Sequence, residues 1–74
     1  MTTNLYSAEK SGKFQITHVP NIGLLENMGL RNGAQLTVQN RYIMGGPVLV
    51  RVEDAYSVAL GKDIAIQIGV RKVV

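Results

Sequence analysis

Turn-forming residues recur every 8–15 residues along this chain and separate short stretches that are rich in β-branched side chains. The turn signals lie at residues 11–12, 20–21, 32–33, 45–47, 53–54 and 61–63. Short strands at this regular spacing are typical of a small all-β barrel or sandwich. Since the chain has 74 residues, it has room for a single domain of this kind.

Five stretches have the composition and alternation expected of half-buried strands. They are residues 13–19, 35–43, 48–53, 57–60 and 67–71. In the third stretch Val48, Val50 and Val52 share one face, which we expect to point into the core. We therefore predict five antiparallel strands that close on a core containing Phe14, Ile16, Leu25, Met28, Leu36, Val38, Val50, Val58 and Ile68.

One segment breaks this pattern and predicts a short α-helix near residues 21–28. Its apolar residues have the spacing of two helical turns, at Ile22, Leu24, Leu25 and Met28. Asn21 is a suitable N-cap, and Gly29 stands where a helix commonly ends in a left-handed residue, so we expect a positive φ there. A second helical turn is predicted at 63–66, with Asp63 as its cap.

Composition narrows the class of protein further. The chain has no cysteine, which excludes a disulfide framework, a thiolate metal site and a cysteine nucleophile. A secreted domain of this size usually needs such staples, so we expect a cytoplasmic protein. The N-terminus lacks the basic and apolar regions of a signal peptide, and no apolar stretch reaches the roughly 18 residues of a membrane span.

Candidate catalytic and metal-ligating residues are few. His18 is the single histidine, and the alternation places it on the same strand face as Phe14 and Ile16. Glu53 and Asp54 are adjacent, so on a strand they would point to opposite faces, and in a turn both would be solvated. We therefore expect no catalytic residues, no metal ligands, no cofactor and no enzymatic activity.

A small basic nucleic-acid-binding β-barrel is the alternative function that the sequence leaves open. Eight Lys and Arg against five Asp and Glu give a net charge of +3. Arg41 adjoins Tyr42, and Arg51 would face Arg41 if the two middle strands pair as a hairpin. Because the bases are scattered, we expect any such binding to be non-specific and sensitive to salt.

The same hairpin carries an uncharged stretch that predicts a partner-binding surface. Residues 42–50 are uncharged although they include the tip of the hairpin, where polar residues are the rule. The candidate residues are Tyr42, Ile43, Met44, Gly45, Gly46, Pro47 and Leu49. In the alternative interpretation Ile43 and Leu49 cover an open end of the barrel and only Met44 is exposed.

The order of several motifs resembles the ferrous iron transport protein A (FeoA) family. Residues 25–33 read LENMGLRNG, and they are followed by the strand motif LTV at 36–38. A GGP hairpin at 45–47, the sequence VALG at 58–61, Ala65 and the closing IGV at 68–70 complete the series. The resemblance covers roughly residues 12–70. Two departures are the short connection at 18–22, where many members have a longer charged segment, and Asn32, where proline is common.

The resemblance implies an SH3-like barrel at residues 12–74, which leaves 1–11 as an N-terminal segment that we expect to be partly flexible. It also implies a cytoplasmic accessory or regulatory module of bacterial ferrous iron uptake whose partner is the membrane transporter FeoB, through its cytosolic G-domain or its membrane part. A weak homo-oligomer is the other association we consider. The domain is similar to the C-terminal module of iron-dependent repressors as well. Transition metal ion binding is associated with the family, whereas this sequence has no evident ligands.

Overall fold

The computed structural model describes residues 2–42 and 44–73, which form six strands and two short α-helices. A single 3-10 turn, Leu5–Ser7, follows the first strand. The elements in chain order are β1 (Thr2–Asn4), β2 (Lys13–His18), α1 (Gly23–Asn27), β3 (Gln35–Arg41), β4 (Val48–Val52), β5 (Tyr56–Leu60), α2 (Lys62–Ala65) and β6 (Gly69–Lys72).

All strands belong to one antiparallel sheet with the order β1-β6-β2-β3-β4-β5. The prediction of a small all-β fold is confirmed, but the predicted number of five strands is too low by one. The additional strand is β1, which pairs with β6 so that Thr3 lies opposite Val70. Its three residues are polar and too few to show an alternation, so only the pairing partner reveals it.

The N-terminal segment packs with the rest of the chain. Leu5 is fully buried, and its backbone N–H donates to the carbonyl of Ile68 at 2.8 Å. Ala8 is buried in the same core. These residues of the N-terminal segment thus belong to the core, whereas the boundary at residue 12 and the flexibility of 1–11 stay predictions.

The core contains seven of the nine residues that the sequence predicted, and the other two, Met28 and Val58, pack against it half-buried. Alternation is clearest in β4, where Val48, Val50 and Val52 are all buried. The remaining core residues are Leu5, Ala8, Leu30, Leu60, Ala65 and Val70.

The first helix begins later than predicted. Ile22 precedes its first turn, and Asn21 lies outside the helix because the chain is still turning there, with the Ile22 N–H donating to the Pro20 carbonyl at 2.8 Å. The prediction for its end is confirmed, since Gly29 has a φ of +83° and the Leu30 N–H returns to the Leu25 carbonyl at 2.9 Å.

The second helix begins one residue before the predicted turn. The carbonyl of Gly61 accepts from Ile64 at 3.1 Å and from Ala65 at 2.9 Å, which makes Gly61 the N-cap. Asp63 therefore lies inside the first turn, and the prediction that it caps the helix is wrong. Neither helix in the described ranges, 2–42 and 44–73, is long and apolar enough to cross a membrane.

Candidate functional site

The β3–β4 hairpin has a firmly held base. The two strands pair down to Arg41 opposite Val48, and the Tyr42 N–H donates to the Pro47 carbonyl at 3.1 Å one step further along. Val48 is fully buried, so the strand that leaves the tip is anchored directly in the core. The tip of the hairpin, of which the structure describes residues 42 and 44–47, therefore projects from a fixed position.

A charged side chain ties this base to the N-terminal segment. The Arg41 guanidinium donates to the carbonyl of Tyr6 at 3.0 Å and to that of Ala8 at 3.1 Å. The ring of Tyr6 also lies under the ammonium group of Lys62, 5.5 Å from the ring centroid. Hydrogen bonds with a charged donor are stronger than neutral ones, so these contacts limit movement of the hairpin base.

The tip presents apolar side chains to solvent. Met44 is 94% exposed and Tyr42 is 48% exposed, while Pro47 is exposed beside them. The chain reverses through Met44 and Gly45, which both have positive φ, at 64° and 81°. The candidate residue Ile43 lies outside the described residues.

Leu49 does not belong to the tip. It is half-buried on the face of β4 opposite the three core valines, between Asn40 on β3 and Ala59 on β5. A register shift between Val38 and Asn40 sets this pairing. The structure thus brings together Tyr42, Met44, Gly45, Gly46 and Pro47 and leaves Leu49 on the outer face of the sheet.

The arginine pair considered for nucleic acid binding is not formed. Arg51 lies opposite Thr37, and Arg41 lies opposite Val48, so the prediction that they face each other is wrong. Two residues on the paired strands of one hairpin need not lie opposite each other, because the length of the loop decides the register. The Arg51 guanidinium also donates to the backbone carbonyl of Asp54 at 3.1 Å, in the turn between β4 and β5.

His18 and the acidic residues are placed separately. Phe14 and Ile16 are buried, whereas His18 is exposed because the β2–β6 register shifts between Ile16 and His18, and the predicted common face is wrong. Glu53 has a structural contact, since its carboxylate accepts the Gln35 N–H at 2.6 Å. Within the described part of the chain, no three His, Cys, Asp or Glu residues come close enough to hold a metal ion.

Comparison with solved structures defines the class of this protein first. A manganese-dependent transcriptional repressor in complex with manganese has the same fold over 97% of this chain and 37% of its own, with a TM-score of 0.90 and 18% identity. The FeoA protein from Chlorobium tepidum matches over 97% of this chain and 71% of its own, with a TM-score of 0.87 and 21% identity. Both likenesses show the fold, a small SH3-like all-β module. No relative was found among curated proteins.

The family follows from two closer matches. The model of the FeoA domain matches residues 3–72, so the chain belongs to the FeoA domain family. The crystal structure of an iron uptake regulatory protein (FeoA) is similar over 99% of both chains, with 30% identity and a TM-score of 0.88. The family consists of small accessory domains of ferrous iron uptake.

Proposed function

We propose that this chain acts in ferrous iron uptake by binding a FeoB-type membrane transporter through the tip of the β3–β4 hairpin, on the cytoplasmic side. Membership of the FeoA family supports the pathway. The hairpin supports the mode of action, because its exposed surface is apolar and carries no charge between Tyr42 and Pro47. The proposed role is contact with a protein partner rather than catalysis.

Met44 is the observation that carries this proposal. An almost fully exposed apolar side chain on a small domain gains free energy only when a partner covers it, and methionine adapts to an irregular surface. Complete burial of such a side chain contributes about 1.5–3 kcal/mol. Since about 1.4 kcal/mol corresponds to a tenfold change in affinity, losing this contact weakens binding by roughly 10- to 100-fold.

The fixed base of the hairpin also favours binding to a partner. A flexible loop loses conformational freedom when it binds, and that loss reduces affinity. Here the Arg41 contacts and the buried Val48 hold both ends of the tip before any partner arrives. The tip therefore meets its partner in a conformation that is already ordered at its base.

The test compares two substitutions of exposed apolar residues. Met44→Asp should weaken binding to the detergent-solubilised transporter by 10-fold or more, in line with the cost of leaving one apolar contact unmade. Leu24→Asp is the matched control, because Leu24 is 65% exposed on α1, which is a different element. It should leave binding unchanged, and both variants should melt close to the wild-type temperature.

Two results would remove the hairpin from this role. One is unimpaired binding by a folded Met44→Asp protein. The other is a loss of binding in Leu24→Asp alone, which would move the contact to α1. Repeating the measurement with the isolated cytosolic G-domain shows whether that domain or the membrane part is contacted.

A further inference from the structure

The far half of β3 is supported by the chain that precedes β2 rather than by a second strand. β2 pairs only with residues 35–37 of β3, so Arg41 at the far end of the strand pairs with β4 alone. Between these points the Val38 carbonyl accepts from the Ser11 N–H at 2.7 Å, and the Val38 N–H donates to the Gly12 carbonyl at 3.0 Å. The end of β3 that leads into the hairpin tip therefore depends on the N-terminal segment.

Residues 5–8, which we call the strap, lie against this end of β3. The side chains of Leu5 and Ala8 are buried in the core. The carbonyls of Tyr6 and Ala8 accept from the Arg41 guanidinium, and among the described residues no other group donates to them. Within 2–42 and 44–73, no carboxylate forms an ion pair with that guanidinium. The Arg41 side chain therefore links the strap to the hairpin.

The strap has few other attachments. In the part of the chain that the structure describes, one hydrogen bond between backbone groups joins it to another segment, from the Leu5 N–H to the Ile68 carbonyl at 2.8 Å. The Lys62 ammonium lies over the ring of Tyr6 on that side. A short segment with so few backbone bonds opens locally at a lower free energy than the domain as a whole. Its opening breaks both Arg41 bonds while the pairing of β3 with β4 remains.

We propose that the strap regulates the hairpin tip. While the strap is docked, the two Arg41 bonds hold the tip in the conformation that binds a partner, and opening of the strap releases it. This regulation rests on the hairpin contact proposed above. Because coupling between two sites is reciprocal, a partner bound at the tip favours the docked strap by the same factor.

Two amides report on the two ends of this link. The Leu5 N–H keeps its bond to β6 only while the strap is docked, and the Tyr42 N–H donates to the Pro47 carbonyl at the base of the tip. Loss of one hydrogen bond with a charged donor changes an equilibrium by about 10-fold or more. In Arg41→Met, hydrogen exchange measured by NMR should therefore be about 10-fold faster at both amides.

Arg51→Met is the matched control variant. The Arg51 guanidinium also donates to a backbone carbonyl, that of Asp54, but among the described residues it makes no hydrogen bond to the strap. Its loss should leave exchange at the two reporter amides unchanged. Within the Arg41→Met protein, the Met28 N–H at the end of α1 should also keep its wild-type rate, because α1 lies outside the link.

Faster exchange at Tyr42 alone would confine the role of Arg41 to the hairpin and would overturn the proposal. Unchanged exchange at both amides would do the same, and so would equal acceleration by Arg51→Met. The wild type gives a second measurement that does not depend on the folding of any variant. Saturation with the detergent-solubilised transporter should slow exchange at Leu5 by about 5-fold or more, the lower end of typical coupling between two sites.

Failure of the regulation and failure of the hairpin contact are distinguishable. If the wild type binds the transporter while exchange at Leu5 stays unchanged, the regulation is wrong and the hairpin contact stands. If the wild type does not bind, the hairpin contact is wrong, whatever the exchange rates of the free chain.

Discussion

Replacing Gly29 with alanine tests how the end of α1 is held against β5. Gly29 has a φ of +83°, in the left-handed region, and an added Cβ would meet the hydroxyl of Tyr56. That hydroxyl donates a hydrogen bond to the carbonyl of Met28. The substitution therefore imposes a strained backbone and displaces a hydrogen-bond donor at the same place.

The magnitude follows from these two contributions. A left-handed conformation costs an L-residue about 1–2 kcal/mol. Loss of the Tyr56 hydrogen bond adds about 0.5–1.5 kcal/mol. The free energy of unfolding should fall by about 1.5–3.5 kcal/mol, which is a large fraction of the roughly 4–11 kcal/mol expected for 74 residues.

Gly33 provides the matched control. Its φ is +90°, but an added Cβ there has no atom within 4 Å, so Gly33→Ala should cost only the backbone contribution of about 1–2 kcal/mol. Urea denaturation of both variants measures the difference. In a Tyr56→Phe background, Gly29→Ala should cost no more than Gly33→Ala does. Equal costs of the two glycine substitutions in the wild-type background would refute the role of Tyr56.

Three further predictions concern the N-terminal segment and metal binding. Leu5→Ala should lower the free energy of unfolding by about 2–5 kcal/mol, because Leu5 is fully buried. Urea denaturation measures this loss, and a loss below about 1 kcal/mol would place residues 1–11 outside the core. Arg41→Met keeps the aliphatic part of the side chain but removes the charged donor from two backbone carbonyls, so the free energy of unfolding should fall by about 1–3 kcal/mol. An unchanged melting temperature would contradict this. Calorimetric titration with Fe²⁺, Mn²⁺ and Zn²⁺ should give micromolar or weaker dissociation constants, whereas nanomolar binding of one metal per chain that is lost in His18→Ala would reveal a site.

Elements with a repeated local pattern could be predicted from the sequence. The valines of β4 alternate because one face is buried, and Gly29 stands at the helix end because that position needs a positive φ. Both features depend on neighbours in the chain. The same holds for the exposed tip around Met44, where an uncharged run coincides with turn residues.

Features that depend on distant pairing could not be predicted in this way. The strand β1 exists because β6 pairs with it, and its own three residues carry no signal. His18 was placed incorrectly because a register shift in β2 changes the pairing of that strand partway along it. The expected pairing of Arg41 with Arg51 failed because the hairpin closes with Arg41 opposite Val48, which puts Arg51 opposite Thr37. A single irregular residue redirects the side chains that follow it, and nothing in the local sequence marks its position.

Equilibrium binding between the wild-type chain and a detergent-solubilised FeoB-type transporter tests the central claim most directly. The measurement is an isothermal titration at physiological salt, with the Met44→Asp protein titrated in parallel. The account predicts saturable binding of the wild type and binding at least 10-fold weaker for Met44→Asp, from the loss of one buried apolar contact. Absence of binding to both the complete transporter and its cytosolic G-domain would contradict it.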